Sequence, residues 1–221
     1  MLSLSQEIKF LIAKEIKQEL RQKFALGGIL LYVVSTVFVC YLSFRSIIDK
    51  PTWNALFWVI LLFGSINAVA KSFIQESKGR QLYFYTLVSP QAVILSKIIY
   101  NSLLMLVLSV VCFFVYSLFI KSLVDDIPFF LLTLLFGSIG FASVLSMVSA
   151  IASKTNSNFS LMAILSFPML IPLLLSLIKV SKYAVDGLDR SLSWPYFGVL
   201  ILINLMVIVL SYLLFPYLWR D

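Results

Sequence analysis

Histidine is absent from the 221 residues of this chain. That removes the side chain most often used to ligate haem iron or zinc, and the commonest base near neutral pH. Cysteine is nearly absent too: Cys40 and Cys112 stand far apart in apolar surroundings, without metal-ligand or redox spacing, and read as small packing residues. No GxxxxGK[ST] phosphate loop occurs, so the chain does not bind ATP by that device. Charge is scarce, at 12% of residues, and is missing altogether from residues 24–44, 51–70, 98–120, 127–153, 155–178 and 191–219. Ion-coupled carriers usually place carboxylates or broken-helix sites near the membrane midplane, and these stretches hold no Asp or Glu. Nor do they offer a serine with a basic partner, an aspartate pair or a zinc site for intramembrane proteolysis. Secondary transport and catalysis are both disfavoured, and no metal site is expected.

What the chain has in abundance is apolar sequence, 61% of residues, with a mean hydropathy of +1.02. Each uncharged stretch holds at least 20 residues. At about 1.5 Å per residue, that is enough to cross a hydrocarbon core of roughly 30 Å. The expected fold class is an all-α integral membrane protein, one transmembrane domain over residues 1–221. Its spans are placed near 24–44, 53–70, 91–120, 128–153, 158–178 and 195–218. The net charge of +7 could suggest nucleic acid, but the placement of the cations follows the positive-inside pattern instead. With the N-terminus inside, cations such as Lys9, Lys14, Lys17, Lys71, Lys78 and Lys97 cluster on the cytoplasmic side. Both termini are therefore predicted to be cytoplasmic, with the lipid bilayer as a partner and no nucleic acid.

Residues 5–23 carry Ile8, Leu11, Ile12, Ile16 and Leu20 at helical spacing, opposite Glu7, Lys14, Lys17, Glu19 and Arg21. This predicts an amphipathic interfacial helix, either resting on the membrane or flanking a docked partner. Gly27 and Gly28 would permit the turn into the first span, and Trp53 and Trp58 would mark the outer interface of the second. Ser89 and Pro90 read as an N-cap followed by proline at the first helical position, with Lys97 snorkelling to the inner interface. In the fourth span Ser138, Ala142, Ser146 and Ala150 recur every four residues, a small-residue stripe for helix packing within the chain or between subunits. The fifth contains FPMLIPLLL, where Pro168 and Pro172 remove two backbone donors on one face. The helix is expected to kink or break there and to form a mobile gate. Residues 179–194 are expected to form the one sizeable outer loop.

The stretch QESKGRQLYFYTLVSP, Gln75 to Pro90, fits neither a span nor an ordinary linker. It combines Glu76, Gly79 and Arg80 with an aromatic cluster, and suits a short surface element offering an apolar, partly charged face to another protein. Residues Phe73 to Lys97 resemble the loop between the second and third spans of ABC-2-type export permeases. Glu76, Gly79, Leu82, Leu87, Ser89, Pro90 and Lys97 match that pattern. The resemblance implies a cytoplasmic coupling element, here Glu76, Gly79, Arg80, Leu82, Tyr83, Leu87, Ser89 and Pro90, that docks on a nucleotide-binding subunit.

Length, six spans and the proline motif narrow the similarity to the CcmB family, the haem exporter B permeases of cytochrome c maturation. It extends over essentially the whole chain. It implies a non-catalytic permease subunit in a bacterial inner membrane. Its partners would be a separate ABC ATPase (CcmA-like) that holds the ATP, a haem-handling membrane protein (CcmC-like), a haem chaperone (CcmE-like) and a second permease copy or permease-like chain. ATP hydrolysis would serve haem export or release of the haem-loaded chaperone. Haem would then be cargo, and the absence of histidine excludes bis-His ligation by this chain. The alternatives are an exporter half for a lipid, drug or polysaccharide, or a membrane scaffold without transport.

Overall fold

Backbone amides and carbonyls find no partners in lipid, and a helix is the local solution that pairs them within each segment. The computed structural model describes residues 3–21, 23–44, 48–69, 88–154 and 158–220. These form α1 (Leu4–Arg21), α2 (Lys23–Phe44), α3 (Lys50–Val69), α4 (Pro90–Ile120), α5 (Ile127–Ser153), α6 (Asn158–Asp186) and α7 (Trp194–Arg220). A short 3-10 turn, Arg190–Ser193, precedes α7. The described residues include no strand, and α2 to α7 supply six helices long and apolar enough to cross a membrane. The chain is thus an all-α membrane protein with an additional N-terminal helix.

The axis of the bundle is α5, with 72% of its membrane-crossing stretch buried, whereas α2 has 11%. Small side chains explain the difference, because they let neighbouring backbones approach closely. A methyl at Gly140 would fall 2.5 Å from Asn204 Oδ1 and 2.6 Å from Leu173 Cδ1, so α6 and α7 both close onto this glycine. Asn204 Nδ2 donates to the Phe136 carbonyl at 3.0 Å and fixes the α5–α7 contact.

Toward the start of α3 the core is aromatic. Trp53, Phe57, Trp58, Tyr116 and Phe130 are all buried. The tryptophans therefore do not mark the membrane interface as expected. Their indole N–H groups find partners inside the protein: Trp53 donates to the Lys121 carbonyl at 3.1 Å, and Trp58 donates to Ser181 Oγ at 2.8 Å. Asn54 completes this network, accepting from Ser181 Oγ at 2.8 Å and donating to the Ile178 carbonyl at 3.0 Å. A buried indole satisfied in this way has no need of the headgroup region.

Three further expectations are corrected. Helix α2 runs through Gly27 and Gly28, so those glycines lie inside the span and do not form the corner. Helix α6 continues to Asp186, leaving a connection of only Gly187, Leu188 and Asp189 before the 3-10 turn where a sizeable loop was expected. Val180, Ser181, Ala184 and Val185 are buried while Lys179 and Lys182 are exposed, so the lysines sit on the outer face of a continuing helix. Pro168 and Pro172 lie inside α6, on its exposed side, and do not break it.

Candidate functional site

Helix α4 has 31 residues. At about 1.5 Å per residue it is longer than a bilayer core requires. Its first turns extend beside α1, where Leu11 packs in one cluster with Ala92, Val93, Ile94 and Ile98, joined by Ala150 of α5 and Phe215 of α7. Ile8 and Val88 cover the edge of this cluster. Helix α1 is therefore a packed part of the protein at the end of the bundle where residues 70–87 join α4.

Two polar contacts lock the packing. Ser89 occupies the N-cap position of α4 and Pro90 the first turn, but the Ser89 side chain does not cap its own helix. Its hydroxyl donates to Glu7 Oε2 at 2.7 Å, and its backbone N–H donates to the same oxygen at 3.2 Å. The carboxylate stands at the positive end of the α4 dipole, which favours its charge. Two turns further on, Lys97 Nζ lies 3.1 Å from Glu15 Oε1, with only 3% of the lysine side chain exposed. Lys14 reaches the same carboxylate oxygen at 3.0 Å. Lys97 thus does not snorkel to solvent as expected. Its stem is enclosed by α1, and Glu15 supplies the countercharge that makes this burial tolerable.

Beyond the latch, α4 is joined to α5 along the small-residue stripe. Ser138, Ala142, Ser146 and Ala150 are all buried inside the chain. Asn101 Nδ2 donates to Ser146 Oγ at 2.8 Å, and the hydroxyls of Ser109 and Ser138 lie 3.1 Å apart. The first turns of α4 are therefore bound to α1, and its middle to the axis of the bundle.

Of the residues expected to couple to a partner, Glu76, Gly79, Arg80, Leu82, Tyr83 and Leu87 lie outside the described residues. Ser89 and Pro90 are described, and they sit at the latch. Pro168 and Pro172 lie in α6 and take no part in the Glu7–Ser89 or Glu15–Lys97 contacts. Among the described residues no group of three or more His, Cys, Asp or Glu gathers to hold a metal. Sequence reasoning placed Glu7 on a polar face without a partner and passed over Glu15. The available signal was acidic residues at 7, 15 and 19 recurring near whole turns of an otherwise basic helix.

Fold and latch together define a polytopic helical membrane subunit whose best-built site is a junction of two helices and not a reacting group. The sequence model of the CcmB protein family matches residues 6–217, and the chain belongs to the CcmB family. A search of curated proteins finds no match. Family membership makes the chain a haem-exporter permease component of an ABC transporter in cytochrome c biogenesis.

Proposed function

We propose that the chain is the non-catalytic subunit that turns the nucleotide-dependent motion of a separate ATPase into movement of its own spans. Residues 76–90 are the docking element, and the α1–α4 latch is the lever. One observation carries this reading: α4 resumes directly after residues 70–87 and is gripped there by α1 through Glu7–Ser89 and Glu15–Lys97. A push on the docking element reaches a rigid pair of helices, and the Asn101–Ser146 and Ser109–Ser138 contacts pass it to α5. Pro168 and Pro172 make α6 the span that bends most readily, and so the gate.

In this reading the α1 end faces the cytoplasm of a bacterial inner membrane, where a CcmA-like ATPase docks. A CcmC-like membrane protein and a CcmE-like chaperone handle the haem, and a second permease chain completes the membrane core. Haem is cargo, and the chain contributes motion and not iron ligands.

Tyr83→Asp and Leu87→Asp are expected to abolish co-purification of the ATPase while the membrane chain accumulates normally. Unchanged co-purification together with unchanged formation of c-type cytochromes would reject the proposal.

A further inference from the structure

Helix α4 gives way, just past Ile120, to a residue in an unusual conformation. Lys121 has φ 69° and ψ 141°, and among the described residues it is the only residue other than glycine with a positive φ. A Cβ crowds its own backbone there, so this region is populated almost entirely by glycine. The lysine side chain is exposed. The Lys121 carbonyl accepts the Trp53 indole N–H at 3.1 Å, and the Trp53 carbonyl in turn accepts the Tyr116 hydroxyl at 3.1 Å. Trp53 and Tyr116 are both buried, so a clasp inside the protein fixes the carbonyl of the strained residue.

The turn that follows is anchored to three other elements. Asp125 meets Lys50, the first residue of α3, at 2.6 Å. The Asp126 backbone N–H donates to the Ala184 carbonyl of α6 at 2.9 Å, and its carboxylate accepts from Arg190 of the 3-10 turn at 2.7 Å. At its other end α4 is gripped by α1 through Glu7–Ser89 and Glu15–Lys97. A swing of α4 against the rest of the bundle must be taken up where the helix meets this anchored turn, and Lys121 is the residue at that point.

We infer that Lys121 is the pivot of α4, a strained joint that the Trp53 indole holds in the resting state and that relaxes to negative φ when a partner moves the latched end. The inference rests on the coupling reading above, and adds to it a fixed point and a direction. Strain of this kind persists only where surrounding contacts over-determine it, and it collects at switch regions. Here it opposes the resting arrangement, so departure from that arrangement is made easier. Glycine at 121 would keep the geometry and remove the strain. Alanine would keep the strain and remove only the charged side chain.

Thermal unfolding of the full-length chain in detergent, and the rate of c-type cytochrome formation in cells, test this together, with ATPase co-purification as the control. Lys121→Gly should raise the unfolding midpoint by about 2–4 °C, since relief of strain outweighs the added freedom of glycine in the unfolded chain. The same variant should slow cytochrome formation about fivefold while the ATPase stays bound. Lys121→Ala should match the parent in both. An unchanged midpoint in Lys121→Gly would overturn the inference, because there was no strain to relieve. So would a raised midpoint with an unchanged or faster rate, an equal slowing in Lys121→Ala, or loss of the ATPase from the Lys121→Gly complex. The midpoint is read on the chain alone and Tyr83→Asp tests docking separately, so failure of the pivot is told apart from failure of the coupling reading.

Discussion

At the α1 end of the bundle, Lys97 is 3% exposed and meets Glu15 at 3.1 Å. At the opposite end, Lys50 and Asp125 meet at 2.6 Å with 36% and 56% of their side chains exposed. Arg190 holds Asp126 there through two bonds of 2.7 and 2.9 Å, with 58% of the arginine exposed. The longer of these contacts matters most. Water screens the exposed pairs and competes for their partners, so each contributes little. A buried ammonium has been stripped of water, and removing the Glu15 carboxylate takes away a charge that offsets that cost. The loop end opposite α1 is tied, whereas the α1 end is latched, and a latch can carry force from a docked partner.

The largest expected effect comes from removing the buried countercharge. Glu15→Gln leaves the Lys97 ammonium enclosed without the Glu15 carboxylate and should destabilise the bundle by about 3 kcal/mol. Denaturant unfolding in detergent micelles measures this, and a cost no greater than that of Lys50→Ala would break the comparison. Glu7→Ala should cost less, about 1–2 kcal/mol, since it deletes the bonds from Ser89 but leaves no buried charge. Its signature is local: hydrogen exchange at the amides of residues 91–94 should accelerate while that of α5 stays unchanged.

The smallest effect belongs to the outer pair. The Arg190 guanidinium holds the Asp126 carboxyl below the ordinary carboxylate range, helped by the Phe129 amide. A carboxyl lowered in the folded state adds stability that is fully present above its ordinary range and is lost as pH falls through the lowered value. Arg190→Ala should flatten the acid side of the stability profile and change stability little at neutral pH. Unfolding titrations from neutral to acid pH compare the two slopes, and an unchanged acid side would show that Asp126 gains nothing from its partner.

The six spans were legible because long uncharged runs have only one way to satisfy their backbones in lipid. The latch was not, because α1 and α4 each look self-sufficient alone. Lys97 beside apolar residues reads as a snorkelling cation until Glu15, far away in the chain, is brought next to it. The tryptophans misled for a related reason: an interfacial indole and a buried one differ only in where the N–H finds a partner, and for Trp58 that partner is Ser181 on another helix. In α6 the extension to Asp186 was readable. Leu173, Leu177, Val180, Ser181 and Ala184 keep one face buried past Lys179 and Lys182, and the charges were given too much weight.

The most direct measurement is a charge-exchange cycle at the latch, with c-type cytochrome formation in cells as the readout and ATPase co-purification as the control. Glu15→Lys and Lys97→Glu should each abolish cytochrome formation while the ATPase stays bound, and the two together should restore a substantial part of it. A coupling energy between two positions is what such a cycle isolates. Single reversals that leave cytochrome formation at the parental level would contradict the claim that α1 and α4 transmit the motion as one unit.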